Sequence, residues 1–134
     1  MAGYSGRPLH AKLGWKPGAP VVLLNAPDDY DALLGGDVPA LGFTDAPYEG
    51  CAATHLFTTA RDDLAQVLPR LLAVMARDGM IWVSWPKKSA KLETDVTEDT
   101  IRAIALPLGL VDVKVCAVSN IWSGLKLVIR KELR

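Results

Sequence analysis

The sequence lacks the features that mark several large classes of protein. Fifteen basic residues are balanced by fifteen acidic ones, so the chain has no basic excess for contacts with a phosphate backbone. No apolar run approaches the roughly 20 residues that are needed to cross a bilayer. Only two cysteines are present, Cys51 and Cys116, and neither lies in a CxxC or Cys/His pattern. We therefore expect no nucleic-acid groove, no membrane span and no metal site, and we expect both thiols to be reduced, in or near the core.

The composition is that of an ordinary globular domain. Hydrophobic residues make up 50% and charged residues 22% of the 134 positions, and there is no internal repeat or low-complexity tract. Residues 1–10 lack the apolar stretch of a secretory signal, which favours a cytoplasmic location. We expect a single α/β domain over residues 1–134, with residues 1–18 forming an N-terminal arm that packs on it.

Four short apolar segments predict the strands of a buried sheet. Residues 21–24, 52–58 and 80–85 are nearly continuous apolar runs, and residues 38–43 form a weaker strand because Pro39 interrupts them. Such runs are typical of strands that are buried on both faces, as in a parallel sheet. The sequence therefore predicts a mostly parallel sheet.

Helix signals separate these strands. Short helices are predicted over residues 9–13, closed by Gly14, and over residues 30–34, closed by Gly35 and Gly36. A last helix begins at Thr97 and ends at Pro107 and Gly109.

The longest helix is predicted from Thr59, as its N-cap, to Gly79. Pro69 lies inside it and predicts a kink or a restart, because proline removes a backbone donor. One buried face repeats at helical spacing through Leu64, Val67, Leu68, Leu71, Leu72 and Met75.

The end of the chain predicts an antiparallel hairpin. Residues 110–118 and 125–131 alternate between apolar and polar, with Val111, Val113, Val115 and Ala117 placed on one face. Six residues, 119–124, separate the two strands, which is too few for a parallel crossover.

This order of elements resembles the Rossmann-like S-adenosylmethionine-dependent methyltransferases. Residues 68–85 look like the fourth helix and fifth strand of that family, and the closing hairpin is similar to its last two strands. The resemblance implies a reduced three-layer α/β domain, whose mostly parallel sheet ends in an antiparallel hairpin. A closer resemblance, to a family of small bacterial proteins of unknown function, rests on residues 3–6 (GYSG), 23–27 (LLNAP), 84–88 (SWPKK) and 122–131 (WSGLKLVIRK).

The turn after the first strand departs from the methyltransferase pattern. Those enzymes carry a glycine-rich turn there, which lets the backbone approach the cofactor. Here the turn begins with Asn25, contains no glycine, and includes Pro27, which has no N–H to donate. Asp45 lies at the distance from Asn25 that is wanted for a ribose contact. With the glycine-rich motif absent, we leave the cofactor open and do not expect S-adenosylmethionine.

Polar side chains follow the strands at the sheet edge where α/β proteins bind ligands. They offer an amide, hydroxyls, an aromatic ring and three cations, a set that suits an anionic ligand with a flat group. The same residues also have plain structural roles open to them, as a helix cap, a solvated loop and a cover for the core. The candidate ligand-binding residues are Asn25, Asp45, Thr58, Thr59, Arg61, Ser84, Trp85, Lys87 and Lys88.

Three other side chains are of types that can carry chemistry or form an interface. His55 lies inside a strand and is expected to be a neutral core histidine rather than a base. Cys116 has no histidine near it in sequence to activate a thiolate, so no catalytic residue is assigned. Trp122, in the hairpin turn, either folds back on the core or forms a partner interface, and the two alternatives stay open.

Three classes of function remain for these residues. The first is a non-enzymatic binding or regulatory module on a degenerate methyltransferase-like scaffold, whose partner is a small anionic or nucleotide-like molecule or a protein. The second is a small enzyme that uses S-adenosylmethionine or another nucleotide-like cofactor through Asn25 and Asp45. The third is an interaction protein that forms a homodimer through Trp122 and the terminal hairpin.

Overall fold

The computed structural model of the protein describes residues 8–16, 18–34 and 42–134. Helices and strands alternate along most of this range. The helices are α1 (Leu9–Leu13), α2 (Tyr30–Leu34), α3 (Arg61–Val74) and α4 (Glu98–Leu108), with short 3-10 turns at Lys88–Ala90 and Lys131–Leu133. The strands are β1 (Pro20–Leu24), β2 (Gly42–Thr44), β3 (Cys51–Phe57), β4 (Met75–Pro86), β5 (Leu110–Ala117) and β6 (Trp122–Ile129).

The six strands form one mixed sheet in the order β2-β1-β3-β4-β6-β5. The first four strands of this order are parallel to one another, whereas β6 is antiparallel to both β4 and β5. The predicted mostly parallel sheet with a closing antiparallel hairpin is confirmed.

Successive strand residues face opposite sides of the sheet, and this builds two separate cores. Val22, Ile81 and Leu127 point to the side that carries α3 and α4. Val21 and Trp82 point to the other side, together with Leu9, Leu13, Tyr30 and Leu34 from the first two helices and Trp15 from the segment after α1. The result is the predicted three-layer arrangement of helix, sheet and helix.

Several helix ends follow the local sequence signals. Gly14 ends α1 and Gly109 ends α4, both in the left-handed conformation, with φ of 84° and 96°. Thr97 caps α4, because its side chain accepts a hydrogen bond from the Thr100 N–H while the Thr100 hydroxyl accepts from the Thr97 N–H.

The prediction that Thr59 caps α3 is wrong. The helix begins at Arg61, and its first N–H is bound by the carboxylate of Asp95, at 2.7 Å, rather than by a neighbouring hydroxyl. A side chain 34 residues away in sequence therefore performs the capping. Of the kink or restart predicted at Pro69, the restart is wrong, because α3 runs continuously through that residue, and the kink stays a prediction.

Helix α3 ends at Val74, earlier than the predicted Gly79, and β4 begins five residues before the predicted start. Met75 pairs with Cys51 and Met80 pairs with Ala53, so residues 76–79 bulge out of the ladder. Gly79 fits the tight return of this bulge, since a Cβ there would lie 3.0 Å from the Ala76 carbonyl oxygen.

The closing hairpin is tighter than predicted. Strand β6 begins at Trp122, which leaves residues 118–121 as the turn instead of residues 119–124. Val113 is the extra residue of a bulge between Asp112 and Lys114, so the predicted alternation of β5 is interrupted and Val111 and Val115 lie on opposite faces.

The connection from β2 to β3 leaves room beside α3. Only residues 45–50 cross from β2 to β3, and they contain no helix, although parallel crossovers usually take a dozen or more residues. The short crossover is feasible because the described part of β2 pairs with the first three residues of β1, Pro20–Val22. Leu24, near the end of β1, stays half-buried beside α3. Residues 38–41 of the predicted second strand, and the predicted cap Gly35-Gly36, lie outside the described residues.

Candidate ligand-binding site

A cavity lies at the carboxyl ends of β1 and β3, where the direction of the chain through the sheet reverses. The connection after β1 leads to one side of that strand, whereas β3 and β4 lie on the other side. Open α/β sheets bind ligands at such a switch point, because the two diverging connections leave a crevice between them. The cavity has a volume of about 210 Å³ and is lined by Leu24, Asn25, Leu56, Thr58, Asp63, Gln66, Val67 and Arg70.

Asn25 shapes the rim of this cavity at the end of β1. Its backbone has a φ of 58°, in the left-handed region that glycine adopts without cost. Asparagine is one of the few other residues that adopt this region readily. The turn after β1 therefore has a conformation suited to glycine, although it contains no glycine.

Helix α3 supplies one wall of the cavity through a polar stripe. Asp63, Gln66, Val67 and Arg70 recur at the spacing i, i+3, i+4, i+7, and so lie on one face of the helix. The three polar members, Asp63, Gln66 and Arg70, were not predicted from the sequence, because only the apolar face of this helix gave a signal there. Their helical spacing could have predicted them, because polar residues that recur at i, i+3 and i+7 also share one face of a helix.

Most polar side chains of the lining have no partner within the protein. In the described part of the chain, Asn25, Asp63, Gln66 and Arg70 make no side-chain hydrogen bond or ion pair. Thr58 differs, because its hydroxyl donates to the Ala60 carbonyl at 3.1 Å and accepts from the Ala60 N–H. The other four polar side chains are all exposed, so their polar groups contact solvent in the free protein and are accessible to a ligand.

Two of the predicted ligand-binding residues lie in the protein interior. Ser84 is fully buried and Trp85 is 9% exposed. Trp85 packs in the core beneath α3 and α4, and the Ser84 hydroxyl is bound to His55. The prediction that Ser84 and Trp85 face a ligand is therefore wrong. They are consecutive residues of a central strand, and such a strand is covered on both faces.

The remaining predicted residues are spread around the sheet edge, outside the cavity lining. Thr59 and Arg61 are exposed at the start of α3, and Asp45 is exposed in the crossover after β2. Lys87 and Lys88 follow β4, where the Lys87 N–H donates to the Ile121 carbonyl. The structure therefore brings only Asn25 and Thr58 of the predicted set together in the cavity.

Trp122 lies at the start of β6, not in the turn, and contacts the protein itself. Its ring meets Phe57 edge-on, with ring centroids 5.1 Å apart, and it packs against the core that contains Trp82. The side chain is half-buried. The ring therefore contacts the core of its own chain, and a partner interface at its exposed part stays a prediction.

A chain of hydrogen bonds crosses the core beneath the sheet edge. The indole N–H of Trp15 donates to the Tyr30 hydroxyl at 3.2 Å, and that hydroxyl lies 2.7 Å from Nδ1 of His55. The other ring nitrogen of His55, Nε2, lies 2.7 Å from the Ser84 hydroxyl. These four residues, the Trp15–Ser84 network, connect the segment after α1 with α2, β3 and β4.

Burial determines the protonation of this network. The His55 ring is fully buried, and loss of hydration lowers its pKa to about 3. Burial likewise raises the pKa of Tyr30 above its usual value, against a smaller opposing effect of the Trp15 hydrogen bond. His55 is therefore neutral at neutral pH.

The cysteines form no reactive centre with this network. Both are free thiols, with Cys51 buried and Cys116 half-buried. Burial raises the pKa of Cys116, and nearby Lys12 and Lys114 oppose that effect only in part. In residues 8–16, 18–34 and 42–134 no group of three His, Cys, Asp or Glu side chains is placed to hold a metal ion, and no helix has the length and apolar character to span a membrane.

Solved structures with the same fold are methyltransferases or similar proteins. The ribosomal protein L11 methylase of Lactobacillus delbrueckii subsp. bulgaricus superposes with a TM-score of 0.54 at 10% identity, over 90% of this chain and 74% of its own. A Sulfolobus solfataricus protein provisionally assigned as a type 11 methyltransferase superposes with a TM-score of 0.55 at 12% identity, and the match covers 92% of this chain and 90% of that protein. LepI in complex with S-adenosylmethionine gives 0.55 at 14% identity, over 91% of this chain but 39% of LepI. The methyltransferase-like fold is thereby confirmed.

Among residues 8–16, 18–34 and 42–134, those at the switch point do not fit S-adenosylmethionine. Asn25 reproduces the left-handed turn but adds a side chain where glycine would leave space, and Asp45 is outside the lining. The volume of about 210 Å³ is also below the roughly 300–1,000 Å³ of pockets for drug-sized ligands.

The family of the chain is shown by its sequence. No curated protein matches it significantly. The model of a family described as a protein of unknown function, DUF3052, matches residues 50–131, which is more than half of the 134 positions. This range contains two of the motifs singled out above, at residues 84–88 and 122–131. The chain therefore belongs to the DUF3052 family of proteins of unknown function, on a methyltransferase-like fold.

Proposed function

We propose that this domain binds a small polar molecule in the switch-point cavity and does not convert it chemically. The proposal rests on one observation: Asn25, Asp63, Gln66 and Arg70 converge on a single cavity, and in the described chain none of the four has a partner. Pockets that recognise small molecules combine an apolar lining with a few such placed polar groups.

The chemistry of the surrounding groups supports binding over turnover. His55 and Ser84, the pair that most resembles a base and a nucleophile, are fully buried and bound to each other. Neither residue lines the cavity. Asp63 and Arg70 are the ionisable groups of the lining, and a carboxylate with a guanidinium suits recognition better than proton transfer, because arginine stays protonated.

Thermal unfolding with a ligand panel tests the proposal. The panel contains amino acids, nucleotides, phosphorylated metabolites, S-adenosylmethionine and its demethylated product. A ligand at about 100 times its dissociation constant adds about 2.7 kcal/mol to the free energy of unfolding, which raises Tm by several degrees for a domain of this size.

Two matched variants of α3 localise any shift. Val67→Phe places a larger side chain in the cavity and should abolish the rise in Tm. Ala65→Phe adds the same ring on the exposed side of the helix and should leave the rise intact. A ligand that stabilises both variants equally binds elsewhere and contradicts the proposed site.

The enzyme alternative makes a different prediction from the same panel. A rise in Tm with S-adenosylmethionine, together with turnover that is lost in Asn25→Ala, would overturn the proposal of a non-enzymatic module. Two proteins of this fold, LepI in complex with S-adenosylmethionine and OxaC in complex with its demethylated product, are the reason to include both compounds in the panel.

A further inference from the structure

The cavity contains one carboxylate and one guanidinium that do not pair with each other. Asp63 and Arg70 lie on the same face of α3, seven residues apart, which is about 10 Å along the helix axis. In the described chain neither side chain forms an ion pair. Two opposite charges thus line one cavity with a gap between them.

The distance between the two charged groups is shorter than the distance between their backbone positions, because of the direction in which helical side chains point. Side chains on a helix lean toward its N-terminus, so the long side chain of Arg70 leans toward Gln66 and Asp63. A small molecule that carries both charges can therefore bridge the two residues. Asn25 and Gln66 add amide donors and acceptors beside them.

Charge selects the class of ligand. A phosphate or nucleotide would bring several negative charges next to the unpaired Asp63, and Lys87 and Lys88, which could offset them, are outside the lining. A simple cation would instead face Arg70. Asp63 and Arg70 are exposed and hydrated in the free protein, and a ligand that carries one charge of each sign pairs with both when it displaces this water.

Size and apolar surface narrow the class further. The cavity volume of about 210 Å³ is below the roughly 300–1,000 Å³ of pockets for drug-sized ligands, so the ligand is small. Three lining side chains, Leu24, Leu56 and Val67, are aliphatic. They would contact an apolar portion of the ligand and gain from its removal from water.

We infer that the cavity binds a free α-amino acid with an aliphatic side chain. Arg70 donates hydrogen bonds to the α-carboxylate, Asp63 accepts from the α-ammonium group, and the aliphatic lining contacts the side chain. This inference rests on the proposed function and adds the class of ligand to it.

Titration of the ¹⁵N-labelled protein with three related probes tests the inference. L-Leucine carries both charges, L-leucinamide lacks the carboxylate, and 4-methylpentanoate lacks the ammonium group. We expect L-leucine to shift the backbone amide signals of residues 63–70. Each analogue should bind about tenfold more weakly, which is the lower end of the range for losing a hydrogen bond to a charged group.

Variants assign each charge to its residue. Arg70→Gln should bind L-leucine and L-leucinamide equally, whereas Asp63→Asn should no longer distinguish L-leucine from 4-methylpentanoate. Asp62→Asn and Arg61→Gln remove neighbouring exposed charges outside the lining, and should keep the selectivity of the wild type.

The outcomes separate this inference from the proposed function. If 4-methylpentanoate binds as tightly as L-leucine, or if no amino acid shifts residues 63–70, the inference is overturned. Binding of another small molecule at the same residues would still leave the proposed function standing. If L-leucine still shifts the amide signals in Val67→Phe, the ligand does not bind in the cavity, and both the inference and the proposed function are contradicted.

Discussion

His55 illustrates how one buried side chain makes the whole fold sensitive to acid. The folded protein keeps the ring neutral, with a pKa near 3, whereas the unfolded chain protonates it near pH 6.5. Between these values the unfolded state binds one more proton than the folded state. Stability from this residue is therefore complete above pH 6.5 and falls as the pH drops toward 3.

Between pH 6.5 and pH 3, we expect His55 alone to lower the free energy of unfolding by about 1.4 kcal/mol for each unit by which the pH falls. His55→Gln removes the titrating group, so its slope between pH 6 and pH 4 should be smaller than that of the wild type by this amount. Urea unfolding at several pH values measures both slopes. Equal slopes would contradict the assignment of a neutral buried histidine.

The backbone of Asn25 gives a second prediction for a single residue. A left-handed conformation costs most non-glycine residues about 1 kcal/mol or more, and asparagine less. Asn25→Ala should therefore lower the free energy of unfolding by about 1 kcal/mol, and Asn25→Gly should be more stable than Asn25→Ala.

The matched control for Asn25 is Asn120, an exposed asparagine of the hairpin turn whose φ is not positive. There the glycine variant should be no more stable than the alanine variant, because glycine only adds freedom to the unfolded chain. Denaturant unfolding of the four variants gives the comparison. The same order at both positions would argue against backbone conformation as the cause.

Helix α3 shows how a distant residue can control where an element begins. The Asp95 carboxylate binds the Arg61 N–H, and the Asp95 N–H and the Thr94 hydroxyl both donate to the Thr59 carbonyl. The segment before α4 is thereby attached to the start of α3. Because α3 forms one wall of the cavity, this attachment also supports the site.

Asp95→Ala should lower the free energy of unfolding by about 1 kcal/mol, the usual effect of losing a helix N-cap. Thr59→Ala is the control, because the Thr59 side chain makes no hydrogen bond within the described residues and its carbonyl is kept. Urea unfolding of the two variants shows whether Asp95 or Thr59 caps α3. A larger loss for Thr59→Ala would restore the cap that the sequence predicts.

At the scale of the whole molecule, Trp122 tests whether the chain forms a homodimer through its terminal hairpin. The indole packs against Phe57 within the same chain. We expect Trp122→Ala to have the same mass as the wild type in light scattering, and to lose about 2 kcal/mol of stability, less than a fully buried tryptophan would. A halved mass would instead support the homodimer.

Local signals in the sequence predicted most of the elements. Continuous apolar runs indicated the parallel strands, and glycine and threonine marked the ends of α1 and α4, because these signals act over a few neighbouring residues. The neutral character expected for His55 agrees with its burial. The short spacing of the last two strands likewise required an antiparallel pair, and the register confirms it.

What the sequence by itself determined is thus the fold class and the order of the elements, since both depend on local periodicity and turn residues. Only the tertiary structure decided which polar residues meet. The partners of His55 lie 25 and 29 positions away, and the α3 cap lies 34 positions away. Only two predicted ligand residues reached the cavity, because the sheet order and the missing crossover helix place α3 beside β1.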